Sequence, residues 1–171
     1  MTVQTGATPV ESSASPANVQ SLYQEGIIAG LLAAAAVAVW FLIVDTIAGR
    51  PLYTPSLLGT ALFGRGAGLA KVTVSLDMVA MFTWVHGMVF AVLGGIASRL
   101  LAVVERNPSV GFGVLLLFVL LQSGFTVMVA FLAAPIFAAL GWLSIFVANL
   151  LAAAVMAVYF RLRHPNLSVR P

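Results

Sequence analysis

The segment FLIVDTIAGRPLYTPSLLG, residues 41–59, decides how this chain is organised. It closes an apolar run, residues 26–48, that would be about 34 Å long as an α-helix, enough to cross the roughly 30 Å hydrocarbon core of a bilayer. Asp45 lies just before the end of that run, and proline, tyrosine and glycine follow it. The carboxylate needs an explanation, because low dielectric and the C-terminal end of a helix dipole both disfavour negative charge.

The overall composition is that of an integral membrane protein. Of 171 residues, 61% are hydrophobic and 8% are charged, and the mean hydropathy is +1.09, whereas roughly a quarter of the residues are charged in a soluble domain. Cysteine is absent, which excludes disulfides, thiolate metal sites and cysteine nucleophiles. The net charge is +3, but the basic residues flank apolar runs singly or in pairs, so no binding to nucleic acid is expected.

Four apolar stretches predict an all-α fold, a four-transmembrane-helix antiparallel bundle, because helices satisfy every backbone group in lipid. The predicted spans are residues 26–48, 78–101, 111–133 and 140–160. They form a domain over residues 23–163, between a flexible polar tail (1–22) and a basic tail (164–171). In the loop 49–77, Thr54 is a candidate N-cap and Pro55 the first residue of a short interfacial helix.

The topology follows from the number of spans. An even number places both termini on one side, and that side carries more Lys and Arg than the other. The positive-inside rule therefore favours cytoplasmic termini. The N-terminal tail has neither the basic start nor the short apolar core of a secretory signal, so we expect the first helix to be retained.

Five polar side chains inside the predicted spans fall in the same half of the membrane. Measured from the face where the first span ends, at 1.5 Å per residue, their depths are about 5 Å for Asp45, 10 Å for Thr126, 12 Å for His86, 13 Å for Asn149 and 16 Å for Gln122. An ionisable group inside a membrane helix is the usual starting point for a functional site. The sequence therefore predicts a one-sided polar cluster that could hold a ligand or a proton.

Each member of this cluster also has a structural interpretation. Asp45 can reach the interface or pair with Arg50 or His86, and His86 can bond to Asp45, Asn149 or a backbone carbonyl. Gln122 and Asn149 can join the third and fourth helices by hydrogen bonds.

No cofactor is required by the sequence, and no metal site is predicted; His86 is the one candidate ligand inside the predicted spans. A single histidine cannot supply both axial positions of a membrane haem, so a haem would need a second chain or an exogenous ligand. A chlorophyll-type pigment needs one axial ligand, so binding of a pigment is less constrained.

Small residues at four-residue spacing predict close helix contacts, because such stripes let backbones approach in lipid. Phe82, His86 and Phe90 form a neighbouring stripe, so we expect His86 to face protein. The small-residue stripes are Gly26, Gly30, Ala34 and Ala38 in the first helix, and Thr83, Gly87, Ala91 and Gly95 in the second. They could pack within the bundle, against other integral subunits, or against a second copy.

The GRPLYTPSLLG segment after an apolar helix that ends in Asp45, with a second helix that contains His86, resembles a group of small bacterial four-helix membrane proteins. The resemblance covers mainly residues 40–95. That group has no established activity, so the resemblance implies a bacterial inner-membrane setting and no site residues.

The chain has no sequence motif of a hydrolase, neither Gly-x-Ser-x-Gly nor His-Glu-x-x-His. We therefore expect a non-catalytic protein, an accessory or structural subunit of a larger respiratory or photosynthetic membrane complex. One alternative is a small homo-oligomeric transporter or proton pathway that uses Asp45 and His86. Another is the binding of haem or pigment through His86.

Overall fold

A computed structural model describes residues 16–64, 72–106 and 140–164 of the chain. Its helices are α1 (Pro16–Ile47), α2 (Tyr53–Phe63), α3 (Leu76–Arg106) and α4 (Trp142–Arg163). By length and composition, α1, α3 and α4 could each cross a membrane. These findings confirm the all-α class and membrane-length helices at three of the predicted positions. The predicted span 111–133, with Gln122 and Thr126, lies outside the described residues.

Helix α1 begins earlier than predicted, at Pro16 instead of Gly26. Proline is well tolerated at the first helical position, since the N–H that it lacks would have no partner within the helix there. Residues 16–22, predicted as part of a flexible tail, are therefore helical. The added turns also bring Tyr23 and Glu25 into the helix, where both side chains find partners on other helices.

Helix α1 packs closely on α3 through residues that have little or no side chain. Gly26, Gly30 and Gly94 are buried. A methyl group on Gly30 would overlap the carbonyl oxygen of Phe90, and one on Gly94 would overlap that of Gly26. The two backbones are therefore in direct contact, as small residues permit in membrane helices. The contacted residue number falls along α3 as the residue number rises along α1.

The other side of α1 packs on α4. The indole Nε1 of Trp40 donates a hydrogen bond of 3.0 Å to the backbone carbonyl of Ser144. An indole N–H that is taken out of water needs such an acceptor, so this bond fixes the start of α4 beside the second half of α1. The buried apolar residues between these helices are Ala33, Val37, Ala148 and Ala152.

Helix α2 packs over the beginning of α3. Its Leu57 is 1% exposed and its Ser56 is fully buried. The hydroxyl oxygen of Ser56 accepts a 2.8 Å hydrogen bond from the backbone N–H of Ser75, directly before α3. A methyl group on Gly59 would overlap the carbonyl oxygen of Met78. The loop 49–77 therefore contains a short helix, which is held against α3 by apolar burial, a hydrogen bond and backbone contact.

Candidate functional site

The chain reverses direction after α1 through a Schellman motif. Gly49 adopts a left-handed φ of 69°, which glycine accepts without strain. The N–H of Arg50 donates to the carbonyl of Asp45 at 2.8 Å, and the N–H of Gly49 donates to the carbonyl of Thr46 at 3.0 Å. These two bonds satisfy carbonyls that would otherwise have no partner at a helix end. Pro51 follows at once and cannot continue the helix.

This turn places the beginning of α2 beside the side chain of Asp45. One carboxylate oxygen accepts the backbone N–H of Thr54 at 2.7 Å, and the other accepts the hydroxyl of Thr54, also at 2.7 Å. Asp45 is only 4% exposed and Thr54 only 3%. The carboxylate thus does for α2 what an N-cap side chain does, and it meets the positive end of that helix dipole. This arrangement explains why an apolar helix carries an aspartate near its end.

The predicted cap of α2 is therefore wrong in its details. Tyr53 is the first helical residue, and Leu52 is the N-cap, with a left-handed φ of 65° and no side-chain hydrogen bond. Thr54 lies inside the first turn, where its N–H has no acceptor within the helix. The acceptor is the carboxylate of Asp45 on α1, so Thr54 is the capped residue and not the cap. The sequence contains both residues, Asp45 and, nine positions later, Thr54, but the Schellman turn is needed to bring them together.

The predicted partners of Asp45 are not those in the structure. Within the described ranges, ion pairs involve Glu25 and not Asp45. The guanidinium of Arg50 lies instead over the ring of Tyr53, 4.0 Å from the centroid, where a cation–π contact is favourable. Arg50 therefore contacts the same turn as Asp45 without pairing with its carboxylate.

His86 lies between α3 and α1, as expected for a residue that faces protein. Its Nε2 is 3.3 Å from the carbonyl oxygen of Ala34, so the tautomer with its hydrogen on Nε2 can donate to it. The ring of Phe82 is stacked on it at 5.5 Å and that of Phe90 is tilted against it at 4.7 Å, both between centroids. Of the expected partners, the structure places a backbone carbonyl beside His86.

Asp45 and His86 are well separated. His86 contacts α1 at Ala34, and from there to Asp45 the helix rises about 16 Å at 1.5 Å per residue. Asn149, on α4, is exposed. The members of the predicted polar cluster that the structure describes therefore do not form one site.

The small-residue stripes fall partly at the helix crossing. Gly26, Gly30 and Ala34 are buried, whereas Ala38 and Thr83 are exposed. On α3, the closest backbone contacts with α1 are made by Phe90 and Gly94, in the neighbouring stripe that continues from His86, and the Cα of Ala91 also lies against Gly30. Gly87 and Gly95 flank this line.

A second polar group, which the sequence analysis did not single out, connects both ends of the described chain. Glu25 accepts hydrogen bonds from the guanidinium of Arg163 and from Nε2 of His164, each at 3.0 Å. Nearby in sequence, the hydroxyl of Tyr23 accepts a 2.9 Å bond from Nε of Arg99. The position of Glu25 just before an apolar run does not predict these contacts, because a glutamate at a helix end is ordinary in a membrane protein.

The chemistry available to these groups is limited. No three residues among His, Asp and Glu come together as metal ligands in the parts of the chain that the structure describes. Binding of a metal or haem by Nε2 of His86 would have to displace its hydrogen bond to Ala34. Buried side-chain polar atoms all have partners across the described ranges. The arrangement therefore stabilises helix ends and helix contacts.

No protein-family model matches this chain, and neither the curated proteins nor the solved structures contain a match to it.

Proposed function

We propose that this chain is a non-catalytic integral membrane protein, an accessory or structural subunit of a larger bacterial membrane complex. One observation carries the proposal: the two ionisable side chains predicted to act inside the membrane, Asp45 and His86, each have a structural partner in their own chain. A carboxylate that caps a helix is not free to exchange protons without weakening that cap.

The proposed architecture is an antiparallel four-helix bundle with α2 in the membrane interface. The reversed order of contacts between α1 and α3 supports it. So does the place of α2, a short helix between two membrane-length helices. The charge distribution favours cytoplasmic termini, and the resemblance of residues 40–95 favours a bacterial inner membrane.

The outward surfaces of the long helices favour a lipid environment with protein neighbours. Large apolar side chains are exposed along all three, and Trp84 and Trp142 are more than 70% exposed. Contiguous apolar surface of this extent is stable only against lipid or other protein. The proposed neighbours are lipid and other integral subunits or a second copy of this chain.

The alternative functions have less support. A proton pathway would need Asp45 and His86 to be connected. His86 contacts α1 at Ala34, which lies about 16 Å along the helix from Asp45. Binding of haem or pigment would need His86 to leave its place between two phenylalanine rings. No described contact favours either alternative over the subunit proposal.

The mass of the native particle tests the proposal. We would extract membranes in mild detergent and measure the size of the particle that contains the 17.9 kDa chain. We expect a large hetero-complex. A particle that is a small multiple of this chain alone would contradict the proposal and favour a homo-oligomeric transporter.

Two variants, Asp45→Asn and His86→Ala, add a functional readout. We expect each to lower the abundance of the chain and its assembly, while ion flux in reconstituted vesicles stays at background. A specific loss of flux at normal abundance would contradict the subunit proposal.

A further inference from the structure

An open groove of about 500 Å³ runs along the outside of the contact between α1 and α3. Its sides are apolar, with Ile27 from α1 and Val92 and Ile96 from α3. Gly95 contributes no side chain; a methyl group there would lie 3.8 Å from Cδ1 of Tyr23, an ordinary contact. The groove is therefore an apolar depression that is open on one side.

One end of the groove carries a positive charge. Nε of Arg99 donates to the hydroxyl of Tyr23 at 2.9 Å, and its guanidinium carbon lies 5.1 Å from the centre of the Tyr23 ring. These contacts orient the guanidinium and use only one of its five N–H groups. The ion pairs of the described residues belong to Glu25, so Arg99 has no carboxylate partner there.

The depth of Arg99 suits a lipid headgroup. The apolar part of α3 extends to Val103, so Arg99 lies about 6 Å along the helix from the end of that segment. An arginine so close to the end of a span can extend its guanidinium to the headgroup level while its methylenes stay in lipid. An apolar groove with a cation at the interface is complementary to a molecule with an anionic head and a long apolar tail.

We propose that this groove binds an anionic phospholipid of the surrounding bilayer. Its phosphate accepts hydrogen bonds from the terminal nitrogens of Arg99, which are charge-assisted and can be bidentate. One acyl chain lies along Gly95, Ile96 and Val92. Tyr23 is a positioning residue, because its hydroxyl and ring hold the guanidinium in place. Basic pockets between membrane helices are known recognition sites for anionic headgroups. The inference rests on the proposed membrane setting.

Lipid retention by the purified full-length chain tests the proposal. Native mass spectrometry would count lipids retained from mixed micelles that contain equal amounts of dioleoyl phosphatidylglycerol and dioleoyl phosphatidylcholine. We expect one phosphatidylglycerol per chain, retained at least about tenfold better than phosphatidylcholine, as two charge-assisted bonds would allow. Equal retention of the two lipids would overturn the proposal.

Matched arginine variants assign the preference to a residue. Arg99→Gln should abolish the preference for phosphatidylglycerol, and Arg99→Lys should keep part of it, because lysine keeps the charge without the bidentate fork. Arg161→Gln is the control, since Arg161 is exposed near the end of α4 and does not line the groove. An unchanged preference in Arg99→Gln, or an equal loss in Arg161→Gln, would overturn the proposal.

A variant that fills the groove tests the acyl chain. Val92 is 62% exposed, so Val92→Trp adds bulk to the groove without entering a packed contact. We expect it to reduce lipid retention at least about tenfold at an unchanged melting temperature. Full retention would overturn the proposed path of the chain, and so would Val92→Cys if it formed a disulfide between two copies, because the groove would then be a protein interface.

A wash of membranes in alkaline carbonate separates this proposal from the proposed function. A chain that the wash extracts is not integral, and both proposals fail. A chain that stays in the membrane and shows no preference for phosphatidylglycerol contradicts only the lipid proposal.

Discussion

Two contacts of α1, one near each of its ends, are of opposite kinds. Near its beginning, Gly26 and Gly30 let its backbone touch that of α3, and the small side chain of Ser98 packs against Gly26. Near its end, the buried carboxylate of Asp45 makes two short hydrogen bonds to Thr54. The first contact depends on glycines that have no Cβ, and the second depends on the two carboxylate oxygens of Asp45. A substitution should therefore act at the first by adding bulk and at the second by removing an acceptor.

The largest effect is expected where a methyl group has no space. Gly30→Ala would place a Cβ on the carbonyl oxygen of Phe90, so the helices would have to separate. We expect a loss of about 3 kcal/mol in the free energy of unfolding, at the upper end for overpacking. Gly87→Ala is the control, because its Cβ would lie 3.9 Å from Leu31, and there the better helix propensity of alanine should leave the stability equal or higher. Reversible unfolding in detergent measures both, and similar stabilities would contradict backbone contact.

The next effect concerns the carboxylate cap. Asp45→Ala leaves the N–H and hydroxyl of Thr54 buried without an acceptor, which should cost about 2 kcal/mol. Thr54→Val removes only the hydroxyl bond and should cost less. The double variant should lose about 1 kcal/mol less than the sum of the two single losses, since both changes remove the same bond. Additive losses would mean that the two residues do not interact.

A smaller effect is expected at the other polar contact. Glu25→Gln removes the negative charge between Arg163 and His164, where the Arg163 side chain is 56% exposed. Because water screens such pairs, we expect a loss of about 1 kcal/mol or less, which shrinks further in high salt. Thermal unfolding at low and high salt measures this, and a loss that does not depend on salt would show that packing is responsible.

The smallest effect is expected at Thr83. Its hydroxyl donates to the carbonyl of Val79 in its own helix, and the residue is exposed. Thr83→Val keeps the shape of the side chain, so the stability should change by no more than about 0.5 kcal/mol. A larger loss in detergent would place Thr83 in a helix contact, as the small-residue stripe predicted.

The sequence predicts well what depends on local pattern. Apolar length predicts α1, α3 and α4, and the small residues at Gly26 and Gly30 indicate a close approach. The partner of Asp45 could not be predicted in the same way, because it depends on a turn with two left-handed residues, and one of them is Leu52, which rarely adopts that conformation. Gly49 followed by Pro51 was a readable stop signal for α1. It agrees with the predicted end of the first span at residue 48, one residue after the observed end at Ile47, but it does not predict the cap.

Asp45 accepts hydrogen bonds both through its backbone carbonyl, in the turn after α1, and through its carboxylate, at the start of α2. These contacts also bear on the order in which the molecule folds. The contact of Asp45 with Thr54 closes a loop of nine residues, whereas the bond from Trp40 to Ser144 spans 104 residues. Short loops close at a smaller entropic cost, so the end of α1 and the start of α2 can be joined before the last helix is synthesised. We expect Asp45→Asn to slow folding, and Trp40→Phe mainly to speed unfolding. Stopped-flow kinetics in detergent would show the opposite pattern if α4 docked first. If the expected pattern is observed, residues 41–59 are a nucleus for folding as well as a connection between helices.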